Sequence, residues 1–214
     1  MGWFDFSRKK HLTDDTTVKP ITLEIPIFPL KTVLFPGSKL PMKIFEQRYL
    51  DMTANCMKNE TPFGICLIES GEEAGAPATP HTVGTLAHIS HWDMEQLGIL
   101  TITAQGGERF HIKDTRLNGT LLEATVTVLE QTKIVPFPDE YSRLLPLLRK
   151  VINDLGADRI AEPYRYDDAN WVGYRLTEVL PIQNLAKQKL LELDDPFSRL
   201  EILEKYLDQR KLLG

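Results

Sequence analysis

Cysteine is scarce in this 214-residue chain: only Cys56 and Cys66, with no CxxC spacing. That argues against a disulfide framework and against a thiolate metal site, and it fits a reducing cytoplasm. Long apolar runs are missing too. No stretch reaches the roughly 20 residues needed to span a bilayer, and the N-terminus lacks the apolar core of a signal peptide. Gly2 would suit myristoylation, but Phe6 stands where that motif needs Ser or Thr. There is no GxxxxGK[ST] phosphate loop, no GxGxxG and no GxSxG elbow. His81, His88, His91 and His111 are scattered; His88 and His91, three apart in a strand pattern, face opposite sides. The acidic pairs Glu72-Glu73, Asp167-Asp168 and Asp194-Asp195 fall in loops or at helix starts, where solvation and capping explain them. The expectation is therefore a non-enzyme with no catalytic residues, no cofactor and no metal. Excess positive charge is also lacking. Residues 1–130 hold 12 basic and 16 acidic side chains, residues 131–214 hold 13 and 14, and the net charge is −5. A phosphate-attracting surface needs the opposite balance, so nucleic acid is disfavoured as a partner.

What is present is an ordinary globular balance, 42% hydrophobic and 26% charged. Residues 1–20 are polar apart from Trp3, Phe4 and Phe6 and read as a flexible tail. Residues 21–131 read mostly as β. The stretch IPIFPLKTVLFPG carries Pro26, Pro29 and Pro36, which restricts it to extended backbone at edge or bulge positions, with Pro36-Gly37 turning into the next strand. Phe45, Tyr49, Met52 and Cys56 share one face of a helix that Thr61-Pro62 stops. Strand patterns follow at 63–69, 83–91, 97–104, 109–115 and 121–130. A turn is expected at 92–96, a bend or bulge at Gly106-Gly107, and a type I′ hairpin at Asn118-Gly119. Many short strands around one helix suggest a partly closed barrel.

Residues 132–214 switch to helical periodicity. A helix after Pro138 is expected to kink at Pro146. Asp168, Asn184 and Asp195 are placed to cap three further helices, the last burying Leu200, Leu203 and Leu207. Four helices with short joints make a bundle. Tyr164, Tyr166 and Trp171 are expected to pack between barrel and bundle.

Four blocks carry a resemblance: IPIFPLKTVLFPGSKLPMKIFEQRY, VGTLAHI, GERFHI and LAKQKLLELDDPFSRLEILEKYL. In this order they resemble the N-terminal, substrate-binding domain of Lon proteases, over about residues 21–207. The resemblance implies an α+β fold: a PUA-like β pseudobarrel with one helix, then a C-terminal helical bundle. It implies recognition of unfolded or damaged polypeptide, in an adaptor or holdase-like role, with a Lon protease as a candidate partner. The chain ends at Gly214, where a Lon protease would continue into its ATPase and Ser–Lys protease modules, so neither activity is expected. RNA binding on a PUA-like barrel, or a structural or regulatory role, is the alternative.

The residues best suited to polypeptide contact are Trp92, Met94 and Leu97, in HWDMEQLG. A large aromatic and a flexible thioether at a turn make adaptable apolar contacts. Folding back to cap the barrel end would explain them equally well. Trp3, Phe4 and Phe6 are a second candidate contact.

Overall fold

Strand β1 (Thr22–Leu30) changes partner half-way along. In this computed structural model, which describes residues 20–96, 98–129, 134–156, 160 and 162–213, six more strands follow. They are β2 (Lys39–Ile44), β3 (Phe63–Ser70), β4 (Thr79–Pro80), β5 (Val83–Gln96), β6 (Ile99–Asn118) and β7 (Leu121–Val128). Residues 22–27 of β1 run antiparallel to β7, and residues 27–30 run parallel to β3. With the order β1-β7-β6-β5-β3, this double pairing closes a ring of five strands. The expected edge position for β1 is therefore corrected: it closes the barrel. Each half still has one neighbour, so alternate N–H groups point away from the ladder and Pro26 and Pro29 can be admitted.

The Pro36-Gly37 turn forms as its residues require. Ser38 N–H donates to the Phe35 carbonyl at 3.0 Å, with Gly37 at φ 76°. Proline followed by a left-handed glycine is the type II pattern. The turn is clamped to β6: Gly37 N–H donates to Gly106 O at 2.8 Å, and Gly106 N–H to Ser38 O at 2.9 Å. A Cβ on Gly106 would sit 2.2 Å from the Phe35 carbonyl oxygen, so only glycine fits. Here β6 carries an extra residue, since Thr85 pairs with Arg109 but Ala87 with Gly106. That is the expected bulge.

The ring interior holds Ile27, Leu86, Phe110, Ala124 and Val126. Past the bulge, β6 and β5 run on beyond the ring and β2 joins β6 on its other side, making a three-stranded arm. Helix α1 (Gln47–Asn59) covers the arm, burying Tyr49, Met52 and Cys56 against Met42, Ile44, Leu100 and Ile102. Each such large side chain contributes about 1.5–3 kcal/mol when fully buried. Phe45 is not on this face: it precedes the helix and is 63% exposed. Glu60, at φ 54°, ends α1 by returning its N–H to Cys56 O.

The other half has, among the described residues, a 3-10 turn (Asp139–Tyr141) and helices α2 (Leu144–Leu155), α3 (Ala169–Val179), α4 (Asn184–Glu192) and α5 (Pro196–Gln209). The expected kink at Pro146 is replaced by a break before residue 144. Pro146 is the third residue of α2, where an N–H has no helical acceptor and its loss costs nothing. Asp168 and Asp195 cap α3 and α5, but Asn184 is the first residue of α4 and its amide donates to Lys31 O. Leu144, Leu148, Leu176, Leu200, Leu203 and Leu207 form the core. Tyr164, Tyr166 and Trp171 meet with ring centroids 5.2–6.2 Å apart and pack on this helical core.

The joint between the halves is made by other residues. Phe35 meets Tyr174 at 5.9 Å, beside Leu191. Arg175, wholly buried, donates to Pro36 O at 2.8 Å and to Ser38 Oγ at 2.7 Å. Gln188 donates to Val83 O at 2.9 Å. Arg109 reaches Leu191 O at 2.7 Å and pairs with Asp194 at 2.8 Å.

Candidate functional site

Helix α1 has a second apolar stripe. Leu50, Ala54 and Met57, spaced by four and three, share a face beside the buried one. Opposite this stripe stands the β5–β6 hairpin, turning at Gly98 with φ 82°. Trp92 and Met94 are two apart on β5 and project from one face. Trp92 lies directly across from Ile102, which is buried in the core of the arm. The Trp92–Met94 face is thus the core-facing side of the arm, carried past the point where α1 fully covers it.

The result is a groove of about 430 Å³ between helix and hairpin. Leu50, Ala54 and Met57 line one wall, Trp92 and Met94 the other, with Gly98 and Leu100 at the end and Asp51 at the rim. Trp92 is 54% exposed and Met94 47%, whereas Leu100 beneath them is 5% exposed. Asp51 accepts a hydrogen bond from Gln47 Nε2 at 2.7 Å, and Asp93 accepts from Met94 N–H at 2.7 Å. The lining is apolar with one carboxylate, which suits apolar side chains and offers no donor set for phosphate. Burial holds the Tyr49 hydroxyl above its ordinary pKa. Among the described residues no three His, Cys, Asp or Glu side chains gather as metal ligands would.

Of the residues singled out from sequence, Trp92 and Met94 come together here. They sit on a strand that continues to Gln96 rather than in the expected turn at 92–96. Leu97, Trp3, Phe4 and Phe6 lie outside the described residues. The α1 wall was not anticipated. Its signal was available in the spacing of Leu50, Ala54 and Met57, hidden beside the stronger Tyr49–Met52–Cys56 stripe. No described helix is long and apolar enough to cross a membrane.

Comparison with known proteins places this geometry in context. The family model of the ATP-dependent protease La (LON) substrate-binding domain matches residues 24–209. The Lon protease of Parabacteroides distasonis is 32% identical over 148 residues, covering 66% of this chain. The chain spans 17% of that protein's length. The crystal structure of a Lon N-terminal domain protein from Xanthomonas campestris superposes with a TM-score of 0.72 at 31% identity, over 86% of this chain and 98% of that one. The N-terminal domain of Mycobacterium avium complex Lon protease gives 0.61 at 18% identity, over 87% and 98%, which is a likeness of fold alone. With nearly all of its length matched by one family model, this chain belongs to the Lon substrate-binding domain family.

Proposed function

We propose that the chain is a polypeptide-recognition module, holding apolar stretches of unfolded or damaged protein in the groove between α1 and the β5–β6 hairpin. It acts as an adaptor or holdase-like protein, and a Lon protease is the partner that would receive its clients. The observation that carries this is the half-exposed pair Trp92 and Met94 facing the apolar stripe of α1. Covering such a surface with apolar client side chains removes area from water, worth roughly 25 cal/mol per Å². Asp51 borders the groove and repels phosphate, so the RNA reading gains nothing from it. The reading needs no ATP and no nucleophile, in keeping with the missing phosphate loop.

The test is a variant with Trp92→Ser, Met94→Ser and Leu97→Ser, measured for melting and for binding to reduced, carboxymethylated lactalbumin. Trp92 and Met94 are half-exposed, and exposed substitutions stay within about 0.5 kcal/mol each, so the fold should hold while binding falls about tenfold or more. A stable variant that binds as well as the parent would remove the groove from any functional account. A saturable ATPase rate in clean protein would overturn the non-enzymatic reading.

A further inference from the structure

We propose that the open edge of β5 over residues 88–94 captures its polypeptide by antiparallel strand addition. This rests on the polypeptide-recognition reading above and specifies how the client is held.

The edge is open because of how the barrel closes. Strand β3 pairs with β5 only as far as Phe63 opposite Ala87. Pro62 and helix α1 precede Phe63, so no strand can continue the ladder. Beyond Ala87, β5 has β6 on one side and no strand on the other among the described residues. His88, Ser90, His91, Trp92, Asp93 and Met94 are all exposed. Their outward backbone groups therefore face solvent, except Met94 N–H, which the Asp93 carboxylate takes at 2.7 Å.

An open edge invites pairing, and proteins ordinarily blunt such edges with lysine, proline or very short strands. Two other free edges of this sheet are blunted in that way. Strand β2 carries Lys39, Pro41 and Lys43, and β4 is only two residues long and includes Pro80. Residues 88–94, HISHWDM, contain neither lysine nor proline, and the guard they do carry is a bulge: β5 has an extra residue between Ile89 and His91 and another between Asp93 and Gln96. This edge lies beside the apolar groove.

The two features fit a single occupant. An added strand presents side chains to one face at every second residue, about 6.6–6.8 Å apart. Trp92 and Met94 share that spacing on β5, so an incoming chain lays its own alternate apolar residues beside them and over the α1 stripe. Asp51 lines the groove, with no lysine or arginine beside it, and Asp93 projects from the opposite face of β5. The complement is an extended segment with apolar residues at alternate positions and lysine or arginine between them. Folded proteins have their strands already paired, so the backbone requirement selects non-native chains.

The test uses the full chain and two probes. One is reduced, carboxymethylated lactalbumin. The other is a fluorescent peptide, Thr-Val-Lys-Val-Thr-Val-Lys-Val-Thr, with two relatives N-methylated either on every valine or on every threonine and lysine. The side chains are the same in all three, but each methylated set removes the donors along one edge. The expected result is binding of the parent peptide, a loss of about tenfold or more for one methylated set, and a change within about twofold for the other. Hydrogen exchange of amides in residues 88–93 should slow when the parent peptide is added. Equal binding of all three peptides overturns strand addition while leaving the groove reading intact, as does binding of lactalbumin without the parent peptide. No binding of either probe overturns both. A dimer in sedimentation with the 88–93 amides already protected, and no peptide binding, assigns the edge to a second copy and overturns the proposal.

Discussion

At the level of single residues, the most demanding side chain is Arg199 on α5. It is wholly buried, yet among the described residues it faces no carboxylate within hydrogen-bond reach. Its Nε donates to Leu190 O at 3.0 Å, its Nη2 to Leu193 O, and its guanidinium carbon lies 4.1 Å from the centre of the Tyr174 ring. Burial pulls its pKa below the ordinary range, and the like charge of Arg109 adds to this. Only the planar fork of arginine can serve both carbonyls while stacking on a ring. Arg199→Met should therefore cost about 3 kcal/mol or more, because the carbonyls lose their donors inside the protein. Arg199→Lys should recover little of it. Urea denaturation of the two variants checks this, and a shift within about 0.5 kcal/mol for either would show that the carbonyls find other partners. In the sequence, Arg199-Leu200, Lys187-Gln188 and GERFHI stand out as family-like blocks. Here Arg109, Gln188 and Arg199 hold the segment 190–194 and the joint in place. A lone arginine in an amphipathic pattern carries no sign of burial, so that role was not legible.

Among the elements, turns and caps were legible where one residue dictates the backbone. The hairpin beside Asn118 shows the limit. Asn118 pairs with Leu121, so the two-residue loop is Gly119-Thr120. Gly119 has φ 61° and Thr120 is not left-handed, which is the type II′ pattern in place of the expected type I′. The register of the flanking strands made the choice, and local sequence does not encode it. Gly119→Val should cost about 1 kcal/mol or more, since a β-branched residue resists positive φ. Asn118→Ala loses only an exposed bond to Glu123 Oε1 at 2.9 Å and should stay within about 0.5 kcal/mol. Comparable melting shifts for the two would restore the type I′ turn. The cap of α5 adds a pH dependence. Asp195 accepts from Ser198 Oγ at 2.6 Å and from Ser198 N–H at 2.8 Å, and these bonds hold its carboxyl below the ordinary 3.8. A lowered folded-state pKa stabilises above the unfolded value and is lost as pH falls through the folded one. Asp195→Ala should thus cost about 1 kcal/mol at pH 7, and its deficit should shrink as pH drops below 3.8. A deficit that is flat across this range in calorimetric melts would show that the carboxylate is not the cap.

For the whole molecule, the change from β to helical periodicity near Pro136 and Pro138 made two halves legible, but the joint between them was not. Its buried arginine and glutamine donors reach across more than 70 residues of sequence, a distance no local pattern spans. Those bonds replace water with backbone acceptors, so separating the halves would strand Arg175 and Gln188 on one side and the carbonyls of Pro36 and Val83 on the other. The halves should accordingly unfold as one unit. Two tryptophans make this measurable, because Trp92 stands on the β arm and Trp171 on α3. A variant with Trp3→Phe and Trp171→Phe reports the barrel, and one with Trp3→Phe and Trp92→Phe reports the bundle. Their fluorescence midpoints in urea should coincide with each other and with the far-ultraviolet circular dichroism of the same samples. Adding Arg175→Met removes the donors to Pro36 and Ser38, so it should lower the barrel midpoint and the bundle midpoint together if the joint couples them. Midpoints separated by more than about 0.5 M urea in the parent background would mean that each half folds alone and the joint is only a contact.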